Sequence, residues 1–180
     1  MLFAVAKKAV LLNKPGVGLP MSEIKRIKAD DIFPFISELL ENGQGTRISV
    51  VGESMYPFLR DGLDSVKLTR GCCRLLSRGD IVMIRRADGD YVMHRIIKKK
   101  QDCFYIVGDA QRRIEGPIYP RQLVAVVTDV WRKDRHISCS SRWWRLSAGF
   151  WLYLRPYRRH ILKVGRLLQR LAGTFYKKQK

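Results

Sequence analysis

Acidic residues are scarce in this sequence. Its 180 residues include 35 Lys and Arg but only 16 Asp and Glu, which gives a formal net charge of +19 at pH 7. Residues 131–180 hold 14 of the basic residues and a single acidic one, Asp134. A cationic segment of this kind indicates an anionic partner, either a membrane surface or nucleic acid. Nucleic acid is the less favoured partner, because no reading motif accompanies the charge.

Long hydrophobic runs are also missing. No stretch reaches the 18 or more apolar residues that a membrane-spanning helix needs. At the N-terminus, the apolar residues 1–6 are followed by Lys7 and Lys8, whereas a secretory signal places its positive charges first. The sequence therefore predicts a cytoplasmic protein or a peripheral membrane protein.

Cysteine and histidine are few and poorly placed for metal binding. The four cysteines are Cys72, Cys73, Cys103 and Cys139, and the three histidines are His94, His136 and His160. None of the cysteines forms a C-x-x-C pair, and the histidines are not spaced to complete a zinc set. We expect four free thiols in a reducing compartment, with no metal and no cofactor.

The first of three predicted regions, residues 1–45, is an arm followed by a helix. Residues 1–28 mix basic and apolar residues around several Pro and Gly and predict a loosely ordered arm. Asp30 or Asp31 is a candidate cap for the helix, and Asn42-Gly43 is its stop signal. The apolar residues at helical spacing, expected to pack on a sheet, are Ile32, Phe35, Ile36, Leu39 and Leu40.

The second region, residues 46–140, has the pattern of an all-β core. Short apolar or alternating segments are separated by turn signals, of which Asp88-Gly89 is a good hairpin turn. The predicted strands cover residues 47–51, 63–68, 79–85, 91–98, 103–107 and 123–131.

The third region, residues 141–180, is aromatic and basic. A dense aromatic and apolar cluster at 143–154 precedes a predicted amphipathic helix at 157–172. Its apolar side is predicted to hold Ile161, Val164, Leu168 and Leu171, and most of its basic residues lie elsewhere: Arg158, Arg159, Lys163, Arg166 and Arg170. Two interpretations are equally supported. Residues 143–172 form an in-plane anchor on an anionic membrane surface, or the helix packs its apolar stripe on the β-core.

One turn between predicted strands has the features of an exposed nucleophile. The segment Gly52-Glu53-Ser54-Met55-Tyr56-Pro57 places a serine between a glycine that permits a sharp turn and a proline that ends the strand. A serine needs a neighbouring base to act as a nucleophile. His94, on the strand predicted at 91–98, is a candidate base that shares a face with Val92 and Ile96.

Four boxes in order carry a family resemblance. They are Gly52-x-Ser54-Met55-x-Pro57, Arg78-Gly79-Asp80, His94-Arg95-Ile96 and Gly108-Asp109-Ala110. The set resembles the type I signal peptidase superfamily, which includes the LexA-type self-cleaving repressors, over residues 46–130. A histidine in the base position is similar to the Ser-His branch, which contains the endoplasmic-reticulum, archaeal and sporulating-bacterium signal peptidases.

The resemblance implies a mainly β protein with a coiled, partly closed fold, flanked here by an N-terminal helix and a basic amphipathic C-terminal helix. It implies a serine endopeptidase in which Ser54 attacks and His94 is the base. The expected substrate is a leader, signal or precursor peptide. Typical signal peptidases carry membrane-spanning helices, and this sequence departs from them in that respect.

Two acids are candidates for orienting His94. The resemblance points to Asp109, and also to a second acid six residues later, which here is Glu115. The oxyanion hole is expected from backbone N–H groups around Ser54, supported by Gly52, Glu53 and Met55. Asp80 is expected to secure a turn. A Ser-Lys dyad using Lys98, Lys99 or Lys100 is disfavoured, because a solvated lysine stays protonated.

Two other functions remain open. A LexA-like self-cleaving regulator predicts a DNA-binding domain before the core and an Ala-Gly pair upstream of Ser54. Residues 1–45 show no helix-turn-helix pattern, and both Ala-Gly pairs lie downstream. A non-catalytic membrane- or nucleic-acid-binding protein with a degenerate peptidase core is the other alternative. The retention of Ser54, His94 and Asp109 argues against it.

Overall fold

The structure, a computed structural model, describes residues 29–133 and 135–165. One sheet occupies the middle of the chain, with helical segments before and after it. The helices are α1 (Ala29–Glu41) and α2 (Arg142–Tyr153), and residues 158–165 are also helical. The strands are β1 (Thr46–Ser49), β2 (Asp64–Thr69), β3 (Ile81–Arg85), β4 (Tyr91–Lys99), β5 (Phe104–Val107), β6 (Ile114–Ile118), β7 (Leu123–Arg132) and β8 (Arg135–Ser138).

All strand pairs in the sheet are antiparallel. The order is β1-β2-β7-β3-β4-β5-β6, and β8 pairs with the C-terminal part of β7. Among the described residues, β1 and β6 do not pair with each other, so the sheet is not closed. The expectation of a mainly β protein with flanking helices is therefore confirmed.

The centre of the sheet is the hairpin of β3 and β4. Its turn is the predicted Asp88-Gly89 turn, in which Gly89 has φ of 93° and the Arg86 N–H donates to the Asp90 carbonyl at 2.8 Å. That positive φ favours glycine, because a side chain would be strained there. The turn fixes the register in which Val82 faces His94.

Each face of this hairpin carries a hydrophobic cluster. Alternate residues of a strand point to opposite faces, so Met83 and Met93 contact one cluster, with α1 and the loop after β1. Val92 and Ile96 belong to the other cluster, with β5 and β6. As predicted, His94 lies on the face of Val92 and Ile96.

The first helix forms close to where it was predicted, and its inner side differs from the prediction in the aromatic residue that is buried. The predicted core residues that are buried are Ile32, Ile36 and Leu40. Phe33 is 4% exposed and stacks on the Tyr91 ring with centroids 4.3 Å apart, whereas Phe35, which was assigned to the core, is 51% exposed. The helix begins at Ala29, so Asp30 and Asp31 lie within it and do not precede it as caps.

Two strands were missed in the sequence, and one of them carries Glu115. Strand β6 contains Gly116 and Pro117, which argue against a strand interior. Such residues are tolerated here because β6 is at the edge of the sheet and needs only one partner, β5. The second missed strand, β8, is a short strand that pairs only with β7.

The C-terminal helical region does not pack its predicted apolar stripe on the core. Arg158 and Leu162 are buried, while Ile161 and Val164, which one of the two interpretations placed against the β-core, are exposed. Leu168 and Leu171 lie outside the described residues. None of the helices within residues 29–165 that the structure describes has the length and apolar character needed to cross a membrane.

Replacement of Phe33 by Ala tests the assignment of the inner side of α1. We expect Phe33→Ala to lower the free energy of unfolding by about 3–5 kcal/mol, because it removes a buried ring and leaves a cavity. The matched control Phe35→Ala should change it by no more than about 0.5 kcal/mol. Urea unfolding followed by circular dichroism measures both. Equal losses in the two variants would contradict the assignment.

Candidate active site

Ser54 lies in the loop between β1 and β2, and residues before and after the serine fix the position of this loop. Gly52 has φ of 95°, and its N–H donates to the Asp61 side chain at 3.0 Å. Met55 and Leu59, at 2% and 0% exposure, insert into the hydrophobic cluster below α1. Ser54, directly before Met55, is half-buried. The buried Met and Leu therefore anchor a turn that keeps the serine at the protein surface.

The Ser54 loop contacts the Gly108-Asp109-Ala110 box through the backbone. The Ala110 N–H donates to the Ser54 carbonyl at 2.9 Å. A Cβ atom at position 108 would lie 2.7 Å from that same carbonyl oxygen, which is too close for any side chain. Glycine at 108 thus allows two boxes that are distant in the sequence to meet.

His94 is a buried histidine in the middle of β4. It is 2% exposed, and its Nδ1 lies 3.1 Å from Oε1 of Glu115. The distance is that of an ion pair, but the two groups are not aligned as a hydrogen bond, and Nδ1 has no aligned partner among the described residues. A carboxylate at this nitrogen orients the ring and stabilises its protonated form.

Glu115 is held between His94 and Arg86. The Arg86 guanidinium donates to both carboxylate oxygens, at 2.7 and 2.6 Å. Burial alone would raise the pKa of Glu115, but the close contact with His94 and the hydrogen bonds and charge of Arg86 outweigh it and lower that pKa to about 2. Glu115 is therefore ionised at neutral pH.

Asp109 has a different partner from the one the resemblance implied. Its carboxylate accepts three hydrogen bonds from Arg95, at 2.9, 3.2 and 2.6 Å, and both side chains have no solvent exposure. Arg158 approaches the same carboxylate at 4.0 Å. Within the described residues, no ion pair joins Asp109 to His94. The carboxylate beside His94 is that of Glu115.

The C-terminal helices hold the 108–110 turn in place. The indole N–H of Trp151 donates to the Asp109 carbonyl at 3.1 Å. Arg158 donates to the Gly108 carbonyl at 3.4 Å and to the Trp151 carbonyl at 3.1 and 3.2 Å. The supporting roles of Trp151 and Arg158, and those of Arg86 and Arg95, were not predicted from the sequence. Arg95 carried a signal, since it follows the proposed base within its box.

The remaining candidates have local roles. Asp80 accepts a hydrogen bond from the Ser77 N–H at 2.7 Å, which confirms that it secures a turn. Lys99 donates to two backbone carbonyls, at 2.8 and 2.9 Å. His136 also has a carboxylate partner, because its Nε2 lies 2.7 Å from Oδ1 of Asp129. That pair is on the outer strand β8 and its histidine is half exposed.

The structure holds both His94 and Ser54 in defined positions, but no hydrogen bond joins the two. Among the described residues, the Ser54 hydroxyl makes no hydrogen bond to His94. Catalytic hydrogen bonds are often long in an unliganded enzyme and shorten when substrate binds. Glu53 and Met55 flank the serine in the same turn, where backbone N–H groups are the candidate oxyanion donors.

The function of this chain is inferred from its sequence boxes and from the geometry of the site, without support from a known relative. No protein-family model, curated protein or solved structure matches this chain. In the described part of the chain, no three His, Cys, Asp or Glu side chains are grouped as metal ligands.

The pH dependence of unfolding tests the environment of Glu115. Its pKa is lower in the folded state than its ordinary value of 4.5. It therefore contributes on the order of 2–3 kcal/mol above pH 4.5, and this contribution is lost as the pH falls towards 2. We expect Glu115→Gln to remove that part of the acid sensitivity, as measured by urea unfolding between pH 7 and pH 2.

The exposed Glu38, on α1, provides the matched control. Glu38→Gln should leave the acid dependence of the wild type almost unchanged. If Glu115→Gln loses stability with falling pH as steeply as the wild type does, the proposed environment of Glu115 is wrong.

Replacement of Asp109 tests its structural role. We expect Asp109→Ala to lower the free energy of unfolding by about 3–5 kcal/mol, because Arg95 is left buried without its partner. The exposed Asp102→Ala serves as the control, with an expected change of at most about 0.5 kcal/mol. Replacing both partners, as in Arg95→Met with Asp109→Leu, should restore much of the loss. A loss below about 1 kcal/mol in Asp109→Ala would contradict the ion-pair role.

Proposed function

We propose that this chain is a serine endopeptidase resembling signal peptidase I, which cleaves a leader, signal or precursor peptide. The observation that supports it most is the arrangement Arg86–Glu115–His94. A buried imidazole has one ring nitrogen facing an ionised carboxylate, and that carboxylate is itself held by a bidentate arginine. Peptide hydrolysis by serine requires a base held in this way.

In this proposal His94 is the general base. With Nδ1 directed at Glu115, the other ring nitrogen, Nε2, takes the proton from the Ser54 hydroxyl as its oxygen attacks the peptide carbonyl. The resulting imidazolium is stabilised by the negative charge of Glu115. The histidine then gives the proton to the departing amine, and water hydrolyses the acyl-serine by the same route in reverse.

The loop around Ser54 supplies the oxyanion donors. The negative oxygen of the tetrahedral intermediate accepts hydrogen bonds from the Ser54 N–H and a neighbouring backbone N–H. Gly52 and Met55 fix the conformation of this turn, the first through its positive φ and the second through its burial. Rigid backbone donors need no rearrangement when the charge develops, which is why they are effective.

Asp109 is a positioning residue in this scheme. Its carboxylate binds Arg95, and the next residue, Ala110, donates to the Ser54 carbonyl. Asp109 thus fixes the serine through the backbone, while Glu115 acts on the histidine.

Mass spectrometry of cell peptides tests the proposal. Cells that express the wild type are compared with cells that express Ser54→Ala, His94→Ala or Glu115→Gln at equal levels of folded protein. We expect a processed peptide with the wild type and none above background with Ser54→Ala or His94→Ala. Glu115→Gln should slow cleavage by up to roughly 10⁴-fold, the cost of a wrongly oriented histidine in a serine protease.

The controls are a serine and a histidine outside the site. Ser140→Ala, in the turn before α2, and His136→Ala, whose carboxylate partner is Asp129, should process the peptide at the wild-type rate. Identical peptide profiles for wild type and Ser54→Ala would count against a peptidase. Loss of cleavage in His136→Ala with cleavage retained in His94→Ala would assign the base to the other histidine.

A further inference from the structure

One side of α2 is apolar and open to solvent. Trp143, Leu146, Phe150 and Tyr153 recur every three or four residues and are 84%, 64%, 64% and 77% exposed. We call these four residues the aromatic face. The opposite side of α2, which includes Trp151, is buried against the core. Exposed apolar surface of this size and continuity marks an interaction site.

Further exposed apolar residues follow α2 in the chain. Tyr157 follows the helix, and Ile161 and Val164 lie one and two turns further along in the helical residues 158–165. Tryptophan and tyrosine beside aliphatic residues are the composition of helices that lie in a membrane interface, since their rings are amphipathic.

The same region carries only positive charge. Residues 142–165 contain six Lys and Arg and no Asp or Glu. Arg158 is buried, and the other five have access to solvent: Arg142, Arg145, Arg155, Arg159 and Lys163. The aromatic face is therefore flanked by cations, and its partner is expected to be both apolar and anionic.

A cationic cavity lies at the end of α2. It has a volume of about 610 Å³, and its basic lining residues are Arg78, Lys98, Lys99 and Arg155, with no acidic residue in the lining. Arg155, two residues after Tyr153, places this cavity close to the end of the aromatic face. A cavity of this charge suits the phosphate of a lipid headgroup.

Charge also decides among the occupants of the surface. Two copies of the chain meeting face to face would bring their arginines together. The segment 1–28 is itself basic, with six Lys and Arg and one Glu, so its charge is not complementary to that of this surface. Nucleic acid would satisfy the charge and stack on the aromatic rings, but it leaves the aliphatic Leu146 and Val164 without a partner. An anionic bilayer satisfies both the charge and the apolar surface.

We propose that α2 and residues 158–165 bind in the plane of an anionic phospholipid bilayer. The aromatic face enters the boundary between headgroups and acyl chains, and Arg155 with the cationic cavity binds lipid phosphate. The aromatic face lies outside residues 46–130, which carry the family resemblance, whereas the cavity is lined mainly by residues within that range. Lipid binding by this surface does not depend on peptidase chemistry. Because Trp151 and Arg158 hold the 108–110 turn from the inner side, lipid binding would place the Ser54 loop near the membrane.

Vesicle sedimentation with the full chain tests the aromatic face. The vesicles are phosphatidylcholine alone or phosphatidylcholine mixed with phosphatidylglycerol. We expect the wild type to pellet with the anionic vesicles, less at high salt, and to bind phosphatidylcholine weakly. The triple variant Trp143→Ser, Phe150→Ser, Tyr153→Ser should bind at least about tenfold more weakly, since it removes most of the inserted apolar area. Phe35→Ser, an exposed aromatic on α1, should bind like the wild type.

A second pair of variants tests the charge at equal net change. Arg155→Glu should weaken binding to anionic vesicles by roughly tenfold or more, because each basic residue near the surface contributes about 1 kcal/mol. Arg121→Glu, beyond the opposite end of β4, has the same change in net charge and should bind within about threefold of the wild type. Circular dichroism and urea unfolding confirm that each variant is folded.

Several results would overturn the proposal. They are equal binding of the triple variant and Phe35→Ser, equal loss in Arg155→Glu and Arg121→Glu, or binding to duplex or single-stranded DNA without binding to vesicles. A wild type that is dimeric by ultracentrifugation, a monomeric triple variant and no vesicle binding would show that a second copy covers the face. Ser54→Ala should pellet like the wild type, so loss of peptidase activity and loss of membrane binding are distinguishable.

Discussion

The buried ion pair of Arg95 and Asp109 connects the parts of this molecule. Arg95 also donates to the Gly79 carbonyl and lies 4.4 Å from the Phe58 ring centroid, so one guanidinium joins β4 to the loop that contains Ser54. A buried pair of charges is stable only when its hydrogen-bonding capacity is used. That requirement fixes the Gly108–Ala110 turn. The Ala110 N–H of this turn then holds the Ser54 carbonyl by a hydrogen bond.

Alternation along strand β4 gives Arg95 and His94 different partners. Arg95 binds Asp109 and lies over the Phe58 ring, whereas His94 lies beside Glu115. Neighbouring residues of a strand point to opposite faces, so two adjacent residues contact two separate carboxylates. The C-terminal helices are divided in a similar way. Their inner side, with Trp151, holds the turn, and their outer side is the cationic, aromatic surface proposed to bind lipid.

The sequence predicted elements well where local pattern decides them. The β3–β4 hairpin follows from alternation and a good turn signal, and α1 follows from helical spacing. Prediction failed where a distant partner decides. Strand β6 was missed because Gly116 and Pro117 weaken a strand signal, and pairing with β5 at the sheet edge overrides it. Phe35 was predicted to be buried, but Phe33 is buried instead, because it stacks on the ring of Tyr91, a residue distant in the sequence.

The sequence by itself determined the β-rich class, the excess of positive charge and the boxes that contain Ser54, His94 and Asp109, because composition and short-range spacing are sufficient for each. Only the tertiary structure decided which carboxylate faces His94. Asp109 and Glu115 are chemically alike and close in sequence, and the choice depends on Arg95, on strand β4, and on Arg86, in the turn between β3 and β4. The tertiary structure also decided that Arg158 is buried. Two carbonyls compensate the desolvation of its guanidinium, and they come from separate parts of the chain, Gly108 and Trp151.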